Sequence, residues 1–211
     1  MSNRLVLATA LSLWGGALLY GLIEAARWEG RPGIRGLAPC MWPEGSSIPR
    51  VDGDSTLIVF SHPLCPCTRA TLGELARIVA RAPANLQTLV VFAPPKGAPQ
   101  DWEASDLRRL AEEIPRVRVL TDRGCVEARR FGARTSGDTL LFDAGGRLRF
   151  HGGITGSRGH EGDNLGRAAV LAILRGDSPA PSSSPVFGCP LEDGDGVDDG
   201  PPQRETGSRS P

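Results

Sequence analysis

The stretch Thr56-Leu57-Ile58-Val59-Phe60-Ser61-His62-Pro63-Leu64-Cys65-Pro66-Cys67-Thr68-Arg69-Ala70 leaves this part of the chain little freedom. Its apolar, β-branched start reads as a buried strand, a Pro-containing turn ends that strand, and a helical pattern follows the two cysteines. A thiol at the start of a helix meets unpaired backbone N–H groups and the positive end of the macrodipole. Both favour the thiolate, which is the nucleophilic form. A second cysteine two residues on can capture a mixed disulfide. The unit points to thiol–disulfide redox chemistry in which Cys65 attacks and Cys67 resolves. Two alternatives stay open, half of a metal site (chiefly copper) and a pair of inert buried thiols. Structural zinc pairs usually leave about two to four residues between their cysteines. No second pair is present here.

Downstream, the pattern alternates strand and helix. Thr68 to Ala82 carries Leu72, Leu75, Ala76 and Val79 at helical spacing. Leu86 to Ala93 is a continuous apolar strand ended by Pro94-Pro95, and 101–114 is a helix stopped by Pro115. A short strand at 117–121 and a short helix at 124–131 follow. Strands 139–142 and 148–151 form a hairpin around Ala144-Gly145-Gly146, and a last helix covers about 164–175. The order βαβαβα, hairpin, α predicts an α/β fold. Its mainly parallel central sheet has helices on both faces and an antiparallel edge. The cysteines fall at the carboxyl end of the first strand, where open α/β sheets place their sites.

The ends have a different composition. Leu5 to Ile23 is a run of 19 residues without a charge. As a helix it reaches roughly 28 Å, close to the hydrocarbon thickness of a bilayer. A cleaved signal peptide is the competing reading, but Gly21-Leu22-Ile23-Glu24-Ala25-Ala26-Arg27 offers no clean small-x-small site. Residues 1–23 are therefore expected to be a transmembrane anchor, 24–54 a linker and 55–176 the folded domain. Residues 177–211 are expected to be a largely disordered tail, rich in Pro, Ser, Gly and Asp. One apolar island, 186–191 (Val-Phe-Gly-Cys-Pro-Leu), reads as a docking segment. Arg27, Arg31 and Arg35 after the span would by themselves keep the domain cytoplasmic. The cysteine chemistry argues for the oxidising side, and that orientation is the expected one. Lys+Arg and Asp+Glu both number 24, a balance that gives no reason to expect a nucleic-acid partner.

Together these residues resemble the thioredoxin superfamily over roughly 50–176. The strand, Cys-Pro-Cys turn and helix match its active-site unit. Phe131-Gly132-Ala133-Arg134 through Thr139-Leu140-Leu141-Phe142-Asp143 and Gly145 looks like the approach to its terminal hairpin. The extra helix and strand at 101–121 resemble the insertion of membrane-anchored TlpA- and ResA-type members, and among these the chain looks most like RedB-like proteins. The resemblance implies a thioredoxin-like fold that needs no cofactor or metal. It also implies dithiol–disulfide exchange with periplasmic proteins, with a membrane redox partner as a further candidate. The soluble domain would face the periplasm from a single-pass bacterial inner-membrane anchor.

Three departures from the family pattern follow. One residue separates the cysteines where the family has two, which implies a strained ring and a readily reduced bond. Gly137, within Thr135-Ser136-Gly137-Asp138, stands where the family has a substrate-contacting cis-proline. Val59 stands where thioredoxins carry a buried Asp. Pro66, Ser136, Gly137 and His160 are the expected substrate-binding residues. His62, three residues before Cys65, can lower the thiol pKa as imidazolium or accept its proton, or can simply be a solvent-facing turn residue. The Gly-rich loop 152–164 can bring Arg158, His160 and Glu161 to the rim, or can be a plain connector with Asp163 or Asn164 capping the last helix. Cys125 is expected to be a buried structural thiol. For Cys189 a structural bond to Cys40 is favoured over a redox role with Cys65. Peroxidase chemistry is a further alternative on this fold, although His62 replaces the Thr or Ser that peroxiredoxins hold.

Overall fold

The computed structural model describes residues 3–94, 97–177 and 181–192. Helix α1 (Asn3–Glu29) precedes β1 (Ser55–Ser61), α2 (Cys67–Val79), β2 (Leu86–Phe92), a 3₁₀ turn (Gln100–Ala104) and α3 (Asp106–Glu112). After these come β3 (Val117–Thr121), α4 (Val126–Arg130), β4 (Asp138–Phe142), β5 (Leu148–Gly152) and α5 (Leu165–Arg175). The strands form one sheet in the order β3-β2-β1-β4-β5. β1 pairs parallel with β2 and β2 with β3, while β4 pairs antiparallel with β1 and with β5. This is the expected mixed sheet, and its topology is that of a thioredoxin-like fold. One expected helix is divided. Ser105 is extended between the 3₁₀ turn and α3, and its side chain accepts from the Arg108 N–H as the N-cap. At the other end, Asn164 caps α5 by accepting from Arg167 N–H.

Successive residues of a strand face opposite sides. Leu57 and Val59 of β1 therefore join one core with Leu72, Leu75 and Ile78 of α2, Leu107 and Ala111 of α3, and Val170 of α5. Ile58 and Phe60 face the other way and join Leu89, Val91, Leu140 and Phe142. On that second side the domain's own pattern supplies the five-residue helix α4 and its flanks, which bring Cys125, Ala128, Phe131 and Ala133.

The segments read as linker and loose tail complete the second core. Ile48 and Leu191 are buried in it, and Trp42 packs edge-on against Phe131 and Phe142 at 5.2 Å each. Residues 24–54 are thus no free linker. α1 continues past Ile23 to Glu29, and the following strap is fastened by Gly33 N–H to Val186 O (2.8 Å) and by Thr135 Oγ1 to Ile34 O (2.8 Å). In the segment 186–191, Val186, Phe187 and Leu191 are all buried. Residues 178–180 and 193–211 of the expected loose tail lie outside the described residues. α1 is long and apolar enough to cross a membrane, and none of it is buried in the protein.

Cys125 is the buried structural thiol expected of it. It precedes α4 with φ +57° and lies against Leu191 O at 3.5 Å. Burial first, and then the charges of Glu192 and Asp122, push its thiol from the ordinary 9.0 up to about 12. An unfolded chain releases this proton above about pH 9 and the folded one retains it. The stability associated with the neutral thiol is therefore intact below that pH and lost as pH rises towards 12. Cys125→Ala should cost about 1 kcal/mol at neutral pH. It should also reduce the fall in the urea midpoint between about pH 8 and about pH 10.5, relative to the unsubstituted chain. An unchanged fall would show that Cys125 is not the group involved.

Candidate active site

The turn after β1 is built by its own backbone. Cys65 N–H donates to His62 O (3.2 Å) and Thr68 N–H to Cys65 O (3.0 Å), with Thr68 Oγ1 also donating to His62 O (3.3 Å). Pro66 has helical angles (φ −61°, ψ −27°) and stands exposed at the N-cap of α2. A proline fits here because its missing N–H is one that a helix start leaves unpaired anyway. Cys67 opens α2. Cys65 and Cys67 are only 1% and 4% exposed, so both sulfurs lie beneath the surface.

Two segments close over them. Before β4, Ser136 Oγ accepts from His62 N–H (2.9 Å) and shares a 2.9 Å hydrogen bond with Thr68 Oγ1. Gly137, at φ +93°, donates its N–H to Phe60 O (2.8 Å). The tail then runs antiparallel to 134–136. Ser136 N–H donates to Cys189 O (2.8 Å), and Leu191 N–H to Arg134 O (2.9 Å). Contact is so close at Gly188 that a Cβ there would sit 2.0 Å from Ser136 O, a backbone atom that cannot swing away. This pairing sets Cys189 Sγ 3.1 Å from Cys65 Sγ.

The expected Cys40–Cys189 bond is therefore not made. Both thiols are free. Cys40 is exposed on the strap, where its carbonyl accepts from Leu148 N–H (2.9 Å) at the start of β5. Cys189 is held over the active-site turn by its backbone bonds to the 134–136 segment.

Electrostatics separates the thiols. Burial pushes the Cys65 thiol up. Hydrogen bonds from the Cys189 thiol and N–H, from Cys67 N–H and from the Ser136 hydroxyl outweigh that and hold it below the ordinary 9.0. Cys67 is raised by burial, then by the charge on Cys65 and its hydrogen bond to that sulfur, with Arg158 and the Gly159 N–H opposing. Cys189 is raised to about 12, by burial first and then by its hydrogen bond to Cys65 and the Cys65 and Cys67 charges, again opposed by Arg158. Cys65 is thus the sulfur of the three in which the thiolate is favoured, and Cys67 and Cys189 are the two in which it is disfavoured.

The other expected residues divide. His62 Nδ1 accepts from Leu64 N–H (3.2 Å), and the ring lies edge-on to Trp102 at 5.6 Å. Arg158 does reach the cluster. Its guanidinium donates to Gly188 O and Arg31 O and lies over the Trp28 ring at 5.1 Å. His160 is exposed on the same loop, where its N–H donates to Ser157 O (3.4 Å). Glu161 accepts from Arg77 (2.9 Å), and the buried Glu74 accepts from Gly162 N–H, Arg77 and Arg167. This network fixes loop 153–164 to α2. Thr68 and Glu74, set at the start and in the middle of an amphipathic helix, gave no sign of these partners in the sequence. Nor did the buried Asp138–His151 pair, 2.9 Å apart and without hydrogen-bond geometry. Among the described residues no group of three or more His, Cys, Asp and Glu side chains is placed to hold a metal ion.

No protein-family profile matches the chain, and no curated protein matches it in sequence. Solved structures do. A hypothetical protein of Sinorhizobium meliloti superposes with a TM-score of 0.53 at 22% identity, covering 79% of this chain and 96% of that one. An uncharacterised conserved protein of Geobacillus kaustophilus gives 0.55 at 20% identity, covering 80% and 95%. The exposed lipoprotein thioredoxin of Streptococcus pneumoniae gives 0.42 at 19% identity, covering 59% and 86%. Likeness at these identities is likeness of fold, and the strand order, the terminal hairpin and the cysteine-bearing helix start make that fold thioredoxin-like.

Proposed function

We propose that this protein is a thiol–disulfide oxidoreductase of the membrane-anchored, periplasm-facing kind, held by α1 and exchanging disulfides with protein dithiols. The observation that carries this reading is the set of hydrogen bonds converging on Cys65 at the start of α2, which leaves it the one thiolate-prone sulfur in the cluster. Cys65 is the nucleophile. In the Cys-Pro-Cys reading Cys67 supplies the second sulfur, and the Arg158 guanidinium eases its deprotonation. Ser136 donates to the thiolate and holds the turn through His62 N–H. The His62 carbonyl and Nδ1 both take hydrogen bonds from the turn, so we assign this residue to shaping the turn rather than to accepting the thiol proton.

Reduced full-length protein should catalyse insulin disulfide reduction with dithiothreitol as electron donor, and Cys65→Ser should lower the rate by on the order of a hundredfold or more. Retained activity in that variant would remove Cys65 from the mechanism. Tight Cu(I) binding without any exchange would move the assignment to metal handling.

Thiolate absorbance near 240 nm gives a second check that does not depend on reagent access to a buried sulfur. The thiolate absorbance that Cys65→Ser removes should belong to a transition below pH 9.0, the ordinary value. Ser136→Ala removes one donor to the thiolate and should shift the transition to higher pH. No shift would show that the hydroxyl does not reach the sulfur.

A further inference from the structure

The thioredoxin-like domain holds two cysteines at its turn, yet the sulfur in hydrogen-bonding contact with Cys65 also comes from the tail, at 3.1 Å. The contact is built. Residues 134–136 pair with the tail backbone through Ser136 N–H to Cys189 O and Leu191 N–H to Arg134 O. Val186, Phe187 and Leu191 are buried on either side of Cys189, and Gly188 is the close approach that permits the register. A segment that pairs along 134–136 and lays a cysteine on Cys65 presents what a cysteine-bearing substrate peptide would have to present. The exposures also differ. Cys65 is 1% exposed and Cys189 is half-buried, so Cys189 is the outer sulfur of the two.

We propose that Cys189 is a third redox cysteine. In the oxidised protein it is bonded to Cys65, and it offers that bond's outer sulfur to a partner dithiol. This rests on the exchange reading above and adds to it the identity of the sulfur that partners meet. A partner thiolate attacks Cys189 Sγ, the Cys65–Cys189 bond breaks, and its electron pair stays on Cys65 as thiolate. The partner's second thiolate then attacks its own sulfur in the mixed disulfide, and Cys189 leaves and takes up a proton. The partner has lost two electrons and two thiol protons and become a disulfide, the pair has gained the two electrons, and the second proton goes to solvent. Reoxidation needs a disulfide acceptor and runs through the same bonds in reverse. Cys67, beside Cys65, is the thiol that can displace Cys189 from it.

The test uses the full chain in detergent micelles, oxidised with glutathione disulfide. After an acid quench, free thiols are blocked with N-ethylmaleimide and the protein is mapped by non-reducing peptide mass analysis. The Cys65 peptide should be linked to the Cys189 peptide, and the link should persist in Cys67→Ser, which assigns it to Cys65. Gly188→Ala keeps every cysteine but clashes with Ser136 O, which displaces Cys189. It should shift the linkage towards Cys65–Cys67 by about tenfold, equivalent to about 30 mV between the two couples. A Cys65–Cys67 bond in the unsubstituted chain, with Cys189 fully alkylated, overturns the proposal. If insulin reduction still required Cys65 in that case, the exchange reading would survive it. Loss of both linkage and insulin activity would remove the two together.

Discussion

The apolar second face of the sheet governs the rest of this structure. Ile58, Phe60, Leu89, Val91, Leu140 and Phe142 all point to the side where the strand–helix pattern provides the short helix α4 and its flanking Cys125, Phe131 and Ala133. A face of that size left in water would cost roughly 25 cal/mol per Å² of apolar area. The rest of the cover comes from outside that pattern. Trp42 and Ile48 arrive from the N-terminal strap and Leu191 from the C-terminal tail. Once Leu191 is seated, the backbone just before it lies along 134–136, and Cys189 falls on Cys65. Core completion and the geometry of the sulfur site are therefore one packing event.

The same contact bears on the proposed exchange chemistry. Hydrogen bonds to a thiolate stabilise the reduced form of a dithiol–disulfide couple, and a stabilised reduced form makes the disulfide the stronger oxidant. Cys65 receives such bonds from both sides. Cys67 N–H and the Ser136 hydroxyl come from the domain, and the Cys189 thiol and N–H from the tail. The tail thus lowers the pKa of the sulfur that it also covers.

The local parts of this arrangement were legible in the sequence. Strand, turn and helix around Cys65 follow from periodicity, from Pro66 and from the helix start, all of which act within a few residues. The hairpin and the capped start of α5 were legible for the same reason. The division of 101–114 was not, since Leu107, Ala111 and Ile114 keep helical spacing right through α3 and conceal the cap at Ser105. The linker and tail were misread because their Pro- and Gly-rich composition speaks of weak local structure, whereas their order comes from a tertiary need. The cysteine pairing failed with them. Position in the chain cannot separate Cys40 from Cys65 as a neighbour for Cys189; the backbone bonds to 134–136 do.

Arg158 shows how closely the ends and the site are joined. Its backbone N–H donates to Glu29 O at the last residue of α1 (3.0 Å), its guanidinium donates to Arg31 O on the strap and Gly188 O on the tail, and its charge lies over Trp28. The same charge opposes the upward push on both Cys67 and Cys189. A residue that only neutralised the thiols could sit on a free loop. A residue that only held the helix end would have no reason to approach the sulfurs. Arg158 does both, its backbone N–H and guanidinium meeting the end of α1 while the same guanidinium holds the tail at Gly188 beside the thiols. In the proposed membrane-held form, these contacts would place the sulfur site close to the end of α1.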